Sequence, residues 1–113
     1  MPLDLFAGIC ARDFTTASEW FERLFGGPAT FLAHETEAVW EVGEHQYVYV
    51  VEDPDRAGHG VLTLFVDDLD ERVDSVVARG IEPVSRETYD NGVRKVTFRD
   101  PDGNEVGFGG GPA

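Results

Sequence analysis

Residues 96–109 read VTFRDPDGNEVGFG and predict two antiparallel strands joined by a tight turn. Valine and phenylalanine alternate with polar residues or glycine on both sides of the turn, which is the two-residue period of a strand with one buried face. Asp, Pro, Gly and Asn favour turns, so we interpret DPDGN as turn chemistry. We expect strands at 93–99 and 104–108. Their core face contains Val96, Phe98, Val106 and Phe108.

The segment before this pair predicts a strand and a helix. Residues 61–66, VLTLFV, form an apolar run, and the helix that follows starts after Asp67 or Asp68 and ends at Gly80. A shorter strand is predicted at 82–87. The second half of the chain therefore reads as strand, helix and three strands.

The first half of the chain follows the same order. An offset of 55 residues places Ile9 on Leu64 and Asp13 on Asp68, which indicates an internal duplication. The predicted elements are a strand at 5–11, a helix from Phe14 to Gly26 capped by Asp13 or Thr15, and strands at 29–34, 37–42 and 46–52. We expect one domain over residues 1–113, with module one at about 1–53, a linker at about 53–60, module two at about 61–109 and a tail at 110–113.

Composition limits the classes of function. The 113 residues include 22 acidic and 9 basic side chains, and the net charge of −13 disfavours nucleic acid and anionic membranes as partners. A single cysteine, Cys10, excludes an internal disulfide and any CxxC motif, which favours a reducing compartment. There is no apolar run of about 18 residues that could span a bilayer. We expect a cytoplasmic protein.

Three stretches resemble the vicinal oxygen chelate superfamily, which includes glyoxalases, bleomycin-resistance proteins, fosfomycin-resistance enzymes and extradiol dioxygenases. They are FAGICARDFTTASEWFERLFG at 6–26, LTLFVDDLDERVDSVVARGIEPV at 62–84, and the strand pair at 96–109. The resemblance implies an α+β fold of two tandem βαβββ modules, with sheets curled around a shared cleft and helices on the outer faces. It also implies that paired subunits often complete the site.

Enzymes of this superfamily usually bind a divalent metal through four side chains. The matching positions in this chain are Phe6, Tyr49, Val61 and Gly107, and none is a His, Glu, Asp or Cys. Metal ions require oxygen, nitrogen or thiolate donors, so we expect no metal and no other cofactor. His59 lies two residues before Val61, and an inward-folded loop that brings it to the cleft is the less favoured alternative.

Strand alternation separates residues that face the helices from residues that face the cleft. The predicted ligand-binding residues are Phe6, Tyr47, Tyr49, Val61, Thr63, Phe65, Lys95 and Thr97. Flat aromatic rings with hydroxyl groups suit a planar organic molecule. The alternative reading, with equal weight, is that such faces simply pack together in a dimer. Trp40 is assigned to the core in preference to the cleft.

Two functions follow from these assignments. The favoured one is a metal-independent protein of the bleomycin-resistance type, which sequesters a small organic ligand in a homodimer and has no catalytic residues. The alternative is a glyoxalase- or dioxygenase-like enzyme, a lyase, isomerase or oxygenase with a displaced or lost metal site. Its acid-base residues would be Glu41, His59 or Glu105.

Overall fold

Both halves of the chain form the predicted series of one strand, one helix and three strands in the computed structural model, which describes residues 3–113. Module one contains β1 (Leu5–Ala11), α1 (Phe14–Phe25), β2 (Phe31–His34), β3 (Glu37–Gly43) and β4 (Gln46–Glu52). Module two contains β5 (Val61–Phe65), α2 (Leu69–Ala78), β6 (Ser85–Thr88), β7 (Arg94–Arg99) and β8 (Glu105–Gly110). Among these residues no helix has the length and apolar character needed to cross a membrane.

Element boundaries differ from the predicted ones by up to three residues, as at the start of β2, which is Phe31 and not 29, and two of the differences have a plain physical reason. β6 begins at Ser85 and not at 82, and Pro83, which has no N–H to donate to a strand ladder, lies in the added gap. β8 continues to Gly110, one residue into the predicted tail, because Gly109 and Gly110 pair with β7. A Cβ on Gly110 would lie 2.9 Å from the Cβ of Leu69, so this close approach of α2 to β8 requires glycine.

Each module forms its own four-stranded sheet. The strand orders are β1-β4-β3-β2 and β5-β8-β7-β6, with a parallel pair at β1/β4 and at β5/β8. Gly8 pairs with Tyr49 in the first sheet, and Thr63 pairs with Gly107 in the second. These pairs are related by offsets of 55 residues for β1 and β5 and 58 residues for β4 and β8. The predicted duplication and its register are confirmed.

One helix covers one face of each sheet, opposite to the face predicted to line the cleft. Asp13 caps the N-terminus of α1 by accepting a hydrogen bond from Thr16 N at 2.9 Å, and Gly26 ends the helix with φ +84°. Trp40 is 4% exposed and donates from Nε1 to the carbonyl of Gly27 at 3.0 Å, so it belongs to the core as predicted. The core of both modules is continuous. Its largest fully buried side chains include Phe21, Leu24, Val48, Val50, Val76, Phe98, Val106 and Phe108.

The DPDGN turn also joins the two modules, a role that its interpretation as turn chemistry missed. The fully buried Asn104 donates from Nδ2 to the carbonyl of Cys10 in β1, and its Oδ1 accepts from Gly60 N in the linker, at 2.9 and 2.7 Å. Asp100 accepts from Nδ2 and from the backbone of Asn104. Burial raises the pKa of Asp100, and these hydrogen bonds partly offset that effect.

We expect Asn104→Ala to lower the free energy of unfolding by about 3 kcal/mol, because the substitution leaves partly buried groups of Cys10 and Gly60 without partners. Asn91→Ala is the matched control. Asn91 is exposed and accepts only one backbone hydrogen bond, from Val93, so its loss should cost less than about 1 kcal/mol. Urea unfolding measures both values, and equal losses would contradict the joining role of Asn104.

Candidate ligand-binding site

The uncovered face of the first sheet is aromatic. Phe6 in β1 pairs with Tyr47 in β4, and their rings stack with centroids 4.5 Å apart and planes 12° apart. Phe6 is 48% exposed, so the stack meets solvent. Desolvation raises the pKa of the Tyr47 hydroxyl, and the carboxylates of Glu41 and Asp4 raise it further. A hydrogen bond with the Glu41 side chain raises the pKa in the same direction, so these groups all favour the protonated hydroxyl.

Tyr49 completes this face. A Cβ placed on Gly8 would lie 2.4 Å from Cζ of Tyr49 and 2.5 Å from its hydroxyl oxygen, so the phenol end of the ring lies over β1 at the glycine. Only glycine leaves room for this position. We call Phe6, Tyr47 and Tyr49 together the aromatic wall.

The uncovered face of the second sheet has different chemistry. Cε of Lys95 lies 2.7 Å and Oγ1 of Thr63 lies 3.4 Å from the point where a Cβ of Gly107 would be. Thr97, the ladder partner of Gly107, is 7% exposed. We call Thr63, Lys95 and Thr97 the polar cluster. Beside it, Val61 and Phe65 of β5 are 73% and 69% exposed.

A cavity of about 430 Å³ lies between the two modules. Tyr47, Thr63 and Phe65 line it, whereas the other five predicted residues do not. Most of the remaining lining was predicted to face the helices or was not predicted at all. These residues are Leu5, Ala7, Phe25, Glu41, Val42, Gln46, Val48, Leu62, Leu64, Val66 and Arg72.

Sequence reasoning missed this lining because β1 and β5 are edge strands. The helix-facing side chains of an edge strand are covered only where a helix reaches them, and Leu5 remains 59% exposed. In the sequence, Arg72 of α2 looks like any charged residue on the exposed side of a helix, so nothing marked it as part of the site. Its guanidinium lies 5.8 Å from the ring centroid of Phe108 and 3.2 Å from Asp68 Oδ1.

The superfamily metal site does not fit these residues. Phe6, Val61 and Gly107 have no donor atom, and Tyr49 has only a phenol. The stem of Lys95 crosses the space beside Gly107, where its positive charge opposes a metal cation. From Leu3 to Ala113 there is no group of three His, Cys, Asp or Glu side chains that could hold a metal ion. His59 is exposed on the linker.

A family model described as the Glyoxalase/Bleomycin resistance protein/Dioxygenase superfamily matches residues 3–108. The chain belongs to this superfamily. The resemblance inferred from the three sequence stretches is thereby confirmed, and so is the fold of two tandem modules. No sequence among the curated proteins matches the chain.

Solved structures of superfamily members share this fold. The crystal structure of a glyoxalase / bleomycin resistance protein from Catenulispora acidiphila DSM 44928 is 50% identical, with a TM-score of 0.95, and the alignment covers 98% of this chain and 100% of that one. A lactoylglutathione lyase from Agrobacterium tumefaciens is 23% identical, with a TM-score of 0.78 and coverage of 95% and 92%. A bleomycin-binding protein complexed with bleomycin is 21% identical, with a TM-score of 0.76 and coverage of 95% and 97%. At these last two identities the likeness shows the fold alone.

We expect the protein to bind no divalent metal tightly, because the four superfamily positions lack a donor set. Protein purified without chelator should contain no stoichiometric metal by elemental analysis. The thermal midpoint of unfolding should be the same with zinc, nickel or iron(II) as with EDTA, since a ligand that binds only the folded state raises that midpoint. A clear rise with one of these metals would contradict the expectation.

Proposed function

We propose that this protein binds a planar organic molecule without a metal and sequesters it without chemical change. The observation that carries the proposal is the aromatic wall, in which Phe6 and Tyr47 stack at 4.5 Å while half of Phe6 remains exposed. Stacked rings kept in place by a sheet give a flat ligand a large contact area at little cost in side-chain entropy. The Tyr hydroxyls at the edge of the wall provide hydrogen bonds that orient the ligand.

The names of the similar structures are compatible with a binding role. The 50% identical structure is that of a glyoxalase / bleomycin resistance protein, a name that covers both an enzyme and a binding protein. The same fold occurs in a bleomycin-binding protein complexed with bleomycin, so this fold can hold a small organic molecule. We keep the cytoplasmic location predicted from the single cysteine as part of the proposal.

We further propose that a second copy of the chain completes the cleft. The uncovered faces of both sheets expose large apolar side chains, including Phe6, Val61 and Phe65. β1 pairs only with β4, and β5 only with β8, so each sheet also has an unpaired edge beside these residues. Exposed apolar surface of this kind is covered most simply by a symmetric partner.

An enzyme is the second candidate function, because a lactoylglutathione lyase has the same fold. Its acid-base residue in this chain would be Glu41, His59 or Glu105, and these three lie on different segments of the fold. Glu41 is the ladder partner of Tyr47 on the first sheet, whereas Glu105 on the second sheet accepts a hydrogen bond from Arg99 at 2.8 Å. His59 is exposed on the linker. The geometry therefore supports binding better than catalysis.

Tyr49→Ala should weaken binding of a planar aromatic compound by about 1–3 kcal/mol, the usual cost of removing one aromatic anchor. Val50→Ala is the matched control on the same strand. Val50 faces α1, is fully buried and does not line the cavity, so its truncation should lower the free energy of unfolding by about 2 kcal/mol and leave affinity unchanged. Titration calorimetry and urea unfolding measure the two quantities. The opposite pattern would show that the wall does not contact the ligand.

Sedimentation velocity at micromolar concentration should give a species of twice the 12.5 kDa chain mass. Phe65→Asp should shift this species towards monomer, because a charge would then have to be desolvated in the interface. Thr15→Asp, on the exposed side of α1, makes the same change in charge and should leave the dimer intact. A monomeric wild-type protein would overturn the proposed pairing.

A further inference from the structure

The polar cluster has the chemistry of a subsite for a carboxylate. We propose that the ligand is a planar aromatic carboxylate, whose ring stacks on the aromatic wall and whose carboxylate binds Lys95, Thr63 and Thr97. This inference rests on the proposed binding function and adds the ligand's charge and the residues that select it.

The first support is the position of the Lys95 side chain. Lys95 is in β7, yet its Cε lies 2.7 Å and its Cγ 3.7 Å from the Cβ position of Gly107 in β8. The stem therefore crosses β8 diagonally, and Oγ1 of Thr63 in β5 lies 3.4 Å from the same point. Because Gly107 has no side chain, the end of the lysine stem and a threonine hydroxyl from separate strands lie together above it.

The second support is that these groups have no partner within the protein. Five arginines form ion pairs with carboxylates, including Arg99 with Glu105 at 2.8 Å. Lys95 forms none with any carboxylate between residues 3 and 113, and the hydroxyls of Thr63 and Thr97 make no hydrogen bond within that range. One ammonium and two hydroxyls without a partner among the described residues thus share this face, on which Thr63 is exposed, Lys95 half-buried and Thr97 buried.

Neighbouring charges do not cancel this cation. Glu105 shares the face but is engaged by Arg99. Glu87 is the ladder partner of Lys95 and also shares the face, but it is not within ion-pair distance. The net charge of −13 acts from greater distances, where salt screens it over about 10 Å. At contact distance the lysine decides the local preference, so an anionic group is favoured here on an otherwise acidic protein.

A carboxylate matches the three donors. Its two oxygens accept up to four hydrogen bonds, and its charge strengthens the bond from the ammonium. A carboxamide of the same shape offers one oxygen, no charge and two N–H groups that would face the ammonium. The matched pair 2-naphthoate and 2-naphthamide therefore isolates the charge, since both compounds present the same ring to the aromatic wall.

The test measures the dissociation constants of both compounds by titration calorimetry. We expect the wild type to bind 2-naphthoate about tenfold more tightly than 2-naphthamide, the size of a charge-assisted hydrogen bond. Lys95→Met keeps the stem over Gly107 and should reduce the ratio to about one, while Lys95→Arg should retain most of it. Arg86→Met removes the same charge from the exposed outer strand β6 and should leave the ratio unchanged. Thermal midpoints verify that each variant is folded.

The outcomes distinguish failure of the carboxylate subsite from failure of the proposed binding function. Equal affinity of the wild type for both compounds, or an undiminished ratio in Lys95→Met, overturns the carboxylate subsite and leaves the binding function standing. A ratio that falls as much in Arg86→Met attributes the preference to net charge and also overturns the subsite. If neither compound binds and no neutral planar compound binds, the proposed function fails together with this inference.

Discussion

One helix is available for each four-stranded sheet, and this shortage of covering elements shapes the whole molecule. α1 and α2 each bury one face of a sheet. Because side chains alternate along a strand, every second side chain of the central strands lies on the other, uncovered face. Val48 and Val50 are buried under α1, whereas their neighbours Tyr47 and Tyr49 are not. The candidate site and the proposed subunit pairing both arise from these uncovered faces.

The two uncovered faces share a backbone register but have diverged in chemistry. In each sheet a large side chain lies over a glycine on the adjacent strand, but a different pair of strands is involved in each module. The glycine is Gly8 in β1 of module one, under Tyr49 of β4, whereas in module two it is Gly107 in β8, under the stem of Lys95. Duplication thus produced one aromatic and one cationic wall from the same framework, and this difference gives the proposed ligand its two recognised parts.

Superfamily membership leaves the chemistry open, because the same fold supports metal-dependent catalysis and simple binding. Whether a member of the superfamily catalyses a reaction or only binds a ligand depends on the side chains at a few positions. Phe6, Tyr49, Val61 and Gly107 place rings, an alkyl group and a gap at the four positions where superfamily enzymes carry metal donors. The uncovered faces offer aromatic contact area instead, together with the lysine of the polar cluster, which forms no ion pair with the described residues.

The sequence by itself determined the elements, the duplicated register and the face to which each strand residue belongs, since these follow from local periodicity and turn chemistry. It also indicated that Trp40 is core. Only the tertiary structure decided that Asn104 bonds to Cys10, 94 residues away, that Lys95 lies over Gly107, and that Leu5 and Leu62 border a cavity between the modules. These contacts join segments that are distant along the chain. A local sequence pattern predicts an element and its faces, but it does not predict which other element will lie against them.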